Sequence, residues 1–334
     1  MINKHKRGGR RRPGLHRKGS LLLAVDIGGT KVEAGLLNLQ GRIISSSRSP
    51  MVARGSANEG LRAVCETIDQ VMLHPRAREI RAIGVAVPGW VDASTGTVLK
   101  AANLPCWRNY PLAKKLHDLY RLPLRVENDA SAAAIAEAKW GAGRRYRDFF
   151  YVSLGTGIGT GIVQKTPGGN RPDSSEGGHM TINFRGPRCP CGKRGCVEMY
   201  ASGKALARRA KSLIGRPGAS RSLLAKLVKE NPDGIGAERI GRAATAGDPL
   251  AIKILEEACD HLAVWLGNVV DLLEPQAIVI GGGLGGLIFS YAPHIRRRWK
   301  ELAIHPRRAQ VHLVKAQFGS QSALLGAAAL WLRS

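Results

Sequence analysis

Two stretches of this 334-residue chain share one layout, and that repetition limits its fold more than any other feature. The first reads LLLAVDIGGTKVEAGLLNLQGRIISSSRSP from Leu21, and the second FFYVSLGTGIGTGIVQKTPGGN from Phe149. Laid 127 positions apart, Val25-x-Ile27-Gly28 falls on Val152-x-Leu154-Gly155, and in both a turn of small residues joins two apolar runs. The repeat predicts two copies of one domain, each opening on a β-hairpin. A chain of this length has room for about two cores.

Local patterns fill in the rest. In the first copy, alternation resumes through Leu37 and Gln40-Gly41 turns into RIISSS, which predicts a three-stranded meander. Between the copies, GLRAVCETIDQVM has helical spacing, IRAIGVAVPG reads as a buried strand, and PLAKKLHDLY as a short amphipathic helix. LPLRVEND is a strand running into the alanine-rich helix ASAAAIAEAKWG, with Asn128-Asp129 at the junction. Beyond residue 200, SGKALARRAKSLI, SRSLLAKLVKE and the stretch from Asp248 to Pro275 are helical, and AIVIGGG is again a buried strand.

Glycine turns follow apolar runs at Gly28-Gly29, at Gly155, Gly157, Gly159 and Gly161, and at Gly281-Gly282-Gly283. Glycine lets backbone N–H groups approach phosphate oxygens, and Thr30 and Thr156 add hydroxyl donors. Three such turns, two of them inside the repeated unit, point to a triphosphate held between two domains in β-hairpins. No Gly-Lys-Ser/Thr follows any of them, so none is a Walker A loop, and none is a dinucleotide Gly-x-Gly-x-x-Gly opening a helix.

The segment EGGHMTINFRGPRCPCGKRGCVE, residues 176–198, carries Cys189-x-Cys191-x4-Cys196 with His179 ten residues ahead of the first thiol. Three sulfurs and an imidazole make a Cys3His zinc set, and four protein ligands leave no open position, so the metal would be structural. It would tie the loop Arg185 to Gly195 back to His179, between Glu176 and Glu198. Ordinary thiols in a tight turn are the alternative; Pro190, Gly192 and Gly195 supply the turn a metal knuckle needs. Cys65, Cys106 and Cys259 are scattered and read as small hydrophobes.

The formal net charge is +26, and eight of those positive charges fall within the first nineteen residues, which hold no acid; +18 remains on the rest. A disordered basic tail on a basic body attracts polyanions such as nucleotides through its long-range field, and predicts no specific nucleic-acid site. No signal peptide or membrane span is visible, since LLLAV is too short and breaks at Asp26, so the expected compartment is the cytoplasm.

VDIGGTKVEAG, VENDASAAAIAE, LGTGIGTGIV, EGGHMTI, CPCGKRGCVEMYASG and IVIGGGL together resemble the ROK family of bacterial sugar kinases and sugar-responsive repressors, from about Leu22 to Leu332. The resemblance implies an α/β, two-domain actin-like ATPase fold, hexokinase-type and ribonuclease H-like, with a zinc-binding loop. After a tail over 1–20, residues 21–128 plus 320–334 would form the smaller domain and 129–319 the larger, with the last helix QSALLGAAALWL crossing back. ATP would lie on Asp26, Gly28, Gly29, Thr30 and Lys31, on Gly155, Thr156, Gly157 and Gly159, and, at its adenosine end, near Gly281, Gly282 and Gly283. Mg2+ would be oriented near Asp26 through water. Asp129 matches the family's catalytic base, and sugar hydroxyls would meet Asn103, Asn128, Asp129, Glu176, His179 and Glu198. His179 would then serve zinc with one ring nitrogen and sugar with the other. A homodimer is also implied.

The expected reaction is ATP-dependent phosphorylation of the primary 6-hydroxyl of a hexose, glucose first. N-acetylglucosamine, N-acetylmannosamine or another hexose is the alternative within the family. A sugar-sensing transcriptional regulator is the alternative outside catalysis; it needs some sixty residues of helix-turn-helix, against about twenty without helical period before the first strand here. Plainer roles also stand beside the implied ones: Asp129 as an N-cap on the helix from Ala130 to Trp140, Glu176 and Glu198 as solvated acids, Gly281 to Gly283 as a simple turn. Cys106, Ser131 and Ser175 depart from the family's usual residues around the sugar pocket.

Overall fold

The computed structural model describes residues 19–166, 169–215, 222–230 and 235–332; the basic residues 1–18 lie outside them. The first half runs β1 (Leu21–Ile27), β2 (Lys31–Asn38), β3 (Ile43–Pro50), α1 (Ala57–Met72), β4 (Ile80–Val87), β5 (Trp90–Asp92), β6 (Thr97–Lys100), β7 (Arg108–Tyr110), α2 (Leu112–Tyr120), β8 (Leu124–Asn128) and α3 (Asp129–Lys139). The second half holds β9 (Asp148–Leu154), β10 (Ile158–Thr166), β11 (Gly169–Ser175), α4 (Glu198–Ala201), α5 (Gly203–Ile214), α6 (Leu223–Glu230), α7 (Ala237–Thr245) and α8 (Pro249–Leu273). It closes with β12 (Ala277–Gly281), α9 (Gly285–Phe289), α10 (Ala292–Leu302), β13 (His312–Lys315) and α11 (Ser322–Ala329).

The repeat read from the sequence is a repeat of topology. One sheet has the order β3-β2-β1-β4-β8 and the other β11-β10-β9-β12-β13. In each, the first three strands in sequence are antiparallel and the last two add in parallel. The expected meander is therefore the antiparallel edge of a mixed sheet. Both sheets carry helices on their faces, as an actin-like ATPase fold requires.

Alternation along β1 divides the first core in two. Leu21, Leu23, Val25 and Ile27 pack toward α1 and α2, while Leu22 and Ala24 pack toward α3 and α11. In the second sheet, Phe150, Val152, Ile278 and Ile280 face the helices α5, α7, α8 and α10, and Phe149, Tyr151 and Val279 face α3. Helix α3 thus lies between the sheets, with Ala132 and Ala136 against the first and Ala133 and Ala134 against the second. The alanines on these two faces let the helix approach both sheets closely, which explains its composition. The last helix, α11, packs on β1, β4 and α3.

One local reading is corrected. The cap of α3 is Asn128, whose Oδ1 accepts the N–H groups of Ala130 and Ser131, so Asp129 is the first helical residue and not the cap. Between β4 and α2, where sequence patterns offer no reading, the chain forms a third, small antiparallel sheet, β5-β6-β7. Among the described residues no helix is long and apolar enough to cross a membrane.

Candidate active site

The two glycine turns predicted to hold phosphate are the hairpins β1–β2 and β9–β10. In the first, the Gly28 N–H donates to the Lys31 carbonyl at 2.8 Å, leaving Gly28 and Gly29 half-buried and Thr30 exposed. A Cβ at Gly29 would lie 2.8 Å from the Asn103 carbonyl oxygen, so the loop carrying Asn103 rests on this turn. In the second hairpin nothing approaches within 4 Å of a Cβ built on Gly155, and Thr156 is exposed. The turn after β12 joins them: Gly282 has φ +79°, a Cβ there would meet the Leu154 carbonyl oxygen at 2.4 Å, and the Leu284 N–H donates to that carbonyl at 2.8 Å. Only glycine fits there, and the fit leaves Gly283 with open space beside the second hairpin. Gly159 has another role. It lies within β10, where its missing side chain makes room for Ala130 of α3, as Gly161 does for Ala134.

Four carboxylates converge between these turns. Burial, and after it the Asp129 charge, push Asp26, on β1, up to about 7, with Lys31 opposing. Burial also holds Asp129 above the usual carboxylate range, against the Ala130 N–H, which donates to Oδ1 at 2.8 Å. Glu176 is raised by burial, lowered by His179, and raised by Asp129 and Glu198. Glu198, the first residue of α4, accepts the Ile158 N–H at 2.8 Å, so this acid is fixed against the second glycine hairpin. Such a set of partly desolvated acceptors suits a ligand rich in hydroxyl donors and keeps one acid–base group near its working range. Asn128 gives its Oδ1 to the cap and donates Nδ2–H to the Gly89 carbonyl at 3.0 Å, which leaves one amide hydrogen for a ligand.

The segment bearing Glu176 and His179 is held by a residue the sequence did not single out. Buried Thr160 donates to the Ser175 carbonyl at 2.6 Å and accepts the Gly177 N–H at 2.9 Å. A lone threonine in a glycine-rich strand carries no signal of this. His179 faces both ways: its Nε2 is 3.9 Å from a Glu176 oxygen and its Nδ1 3.5 Å from the Cys189 sulfur.

The donor atoms of His179, Cys189, Cys191 and Cys196 all lie within 4.8 Å of one another. Cys191 and Cys196 sulfurs are 3.7 Å apart, unbonded. A tetrahedron with Zn–S of about 2.3 Å and Zn–N of about 2.0 Å has S–S edges of roughly 3.8 Å and S–N edges of roughly 3.5 Å. Both observed separations match those edges.

Residues 22–334 match the ROK family. The chain is 35% identical to the glucokinase of Streptomyces coelicolor over 315 residues, 93% of this chain and 97% of that protein. It is 31% identical to the xylose repressor of Caldicellulosiruptor bescii over 264 residues, 78% of this chain and 65% of the repressor. The crystal structure of a ROK family glucokinase from Streptomyces griseus in complex with glucose and AMPPNP superimposes with a TM-score of 0.81 at 35% identity, covering 93% of this chain and 99% of that one.

Proposed function

The chain belongs to the ROK family, and from that premise we propose that it is an ATP-dependent kinase acting on the primary 6-hydroxyl of a hexose, with glucose the preferred acceptor. The observation that carries this is Asp129. It is a half-buried carboxylate, released from capping by Asn128, in electrostatic contact with Asp26 at one glycine hairpin and with Glu176 on the opposite wall. The glucose and AMPPNP held by the S. griseus glucokinase support the same ligand pair here.

In this reading Asp129 accepts the hydroxyl proton as the oxygen attacks the γ-phosphate. Glu176, Glu198, His179, Asn103 and the free amide hydrogen of Asn128 orient the sugar. Backbone N–H groups at Gly28 to Thr30 and Gly155 to Gly157 hold the phosphates, with Gly283 beside the adenosine. Phosphoryl transfer passes through a loose transition state, so positioning and charge neutralisation are the protein's main contributions. Mg2+, when bound with ATP, spreads the phosphate charge, and the mutual repulsion of Asp26 and Asp129 makes that end of the cleft fit for a cation. The test is ADP release coupled across a panel of hexoses and amino sugars. Glucose should give the highest kcat/KM; a better amino sugar would move the assignment within the family, and tight sugar binding without turnover would identify a sensor.

His179, Cys189, Cys191 and Cys196 would hold a structural zinc that fixes the sugar-binding wall. Protein purified without chelator should carry about one zinc per chain, and Cys191→Ser/Cys196→Ser should carry none. Full zinc in that double variant, measured by elemental analysis, would remove these residues from the site.

A further inference from the structure

Glu137 stands in the last turn of α3, eight residues beyond Asp129 on the same helix, and is fully buried. Its carboxylate accepts four hydrogen bonds. Oε2 takes the N–H of Ala142 at 2.8 Å and of Gln317 at 3.1 Å, while Oε1 takes the N–H of Phe318 at 3.0 Å and the Ser322 hydroxyl at 3.3 Å. Ala142 lies where the chain first passes from one sheet to the other, between α3 and β9; Gln317 and Phe318 lie where it passes back, between β13 and α11, and Ser322 opens α11. One side chain therefore fastens both connections between the sheets. Gly141 leaves the room for it, since a Cβ there would lie 2.1 Å from Oε2.

Burying a carboxylate is costly unless its hydrogen bonds are complete, and these four donors converge from segments some 175 residues apart in sequence. Relative movement of the sheets must bend these two passages, so whatever clamps them sets the pivot. Because α3 carries Asp129 at one end and the clamp at the other, the pivot and the proton acceptor are parts of one rigid rod. We propose that Glu137 is a positioning residue of the phosphoryl transfer, holding α3 so that Asp129 stands at the correct distance from the phosphate hairpins. The inference rests on the kinase reading above.

Glu137→Gln keeps the size but offers one acceptor oxygen where two were used, so at least one buried peptide N–H loses its partner. At saturating glucose and ATP, with active sites counted by calorimetric glucose binding, kcat should fall about 10- to 100-fold while the KM for glucose stays within about threefold. Gly141→Ala should give the same split by pushing the carboxylate off Ala142 and Gln317 without removing it, and it carries the test where the Gln variant does not fold. A carboxylate that only stabilises would lower the melting temperature and the count of active sites yet leave kcat per counted site at the parent value, which overturns the proposal. A parent that turns over no sugar sinks the kinase reading and this role with it; an active parent with unchanged kcat per site in the variants sinks the positioning role alone.

Discussion

Asp129→Asn lowers kcat by about 10²- to 10⁴-fold, the usual cost of removing a general base, while the fold and sugar affinity are kept. The substitution is unusually clean here. The cap of α3 is Asn128, so the helix start does not depend on residue 129, and an asparagine Oδ1 can still accept the Ala130 N–H that the Asp129 Oδ1 accepts. What is lost is the ability to take a proton. The same change removes a charge that raises both Asp26 and Glu176. For these acids the folded protein favours the protonated form, so activity that needs the carboxylates is present above their raised values and declines as pH falls through them. In the parent, kcat/KM should therefore climb with pH and level off above about 7, the value to which Asp26 is pushed. In Asp129→Asn the residual activity should reach its plateau at lower pH. Unchanged kcat at saturating glucose and ATP would take Asp129 out of the reaction and leave the glycine hairpins without a catalytic partner.

Where the sequence spoke clearly, it did so through local spacing. A strand, a glycine turn and a second strand repeated 127 positions apart are enough to announce two sheets of one topology, and the sheets do share their strand order. Cys189, Cys191 and Cys196 sit in one knuckle, so their convergence with His179 was also legible. What stayed hidden depends on contacts distant along the chain. Strands of three and four residues such as β5, β6 and β7 are too short to alternate visibly, so the small sheet on either side of Asn103 gave no signal. Glu137 gave no signal, because nothing near it in sequence says that Gln317 and Phe318 will stand over it. Gly159 looked like one more phosphate glycine because a missing side chain reads the same whether a phosphate or a helix needs the space.

Gly178→Ala separates the sugar site from the nucleotide site. Gly177 and Gly178 lie between Glu176 and His179, and both are buried against β10. A Cβ at Gly178 would stand 2.1 Å from the carbonyl oxygen of Ile158 and 3.0 Å from its carbonyl carbon, and that neighbour is strand backbone, held by its pairing with β9. The turn would have to move out by about 1 Å or more, since carbon and oxygen repel steeply inside van der Waals contact. It cannot move alone. Glu176 precedes it, His179 follows it, and the Thr160 hydroxyl that accepts the Gly177 N–H would be left behind. A displacement of about 1 Å of positioning groups costs on the order of 10²-fold, so kcat/KM for glucose should fall by about that factor. The loss should appear mainly in glucose affinity. The glycine turns at Gly28 and Gly283 belong to other strands, and the turn from Gly155 to Gly157 is held by the pairing of β10 with β9 while the Glu176–His179 segment moves, so ADP affinity should fall much less than glucose affinity. Calorimetric titration of glucose and of ADP on one preparation, with zinc measured alongside, reads all three effects. Equal losses of glucose and ADP affinity would mean general unfolding, and unchanged glucose affinity would show that the wall carrying Glu176 and His179 does not bind the sugar.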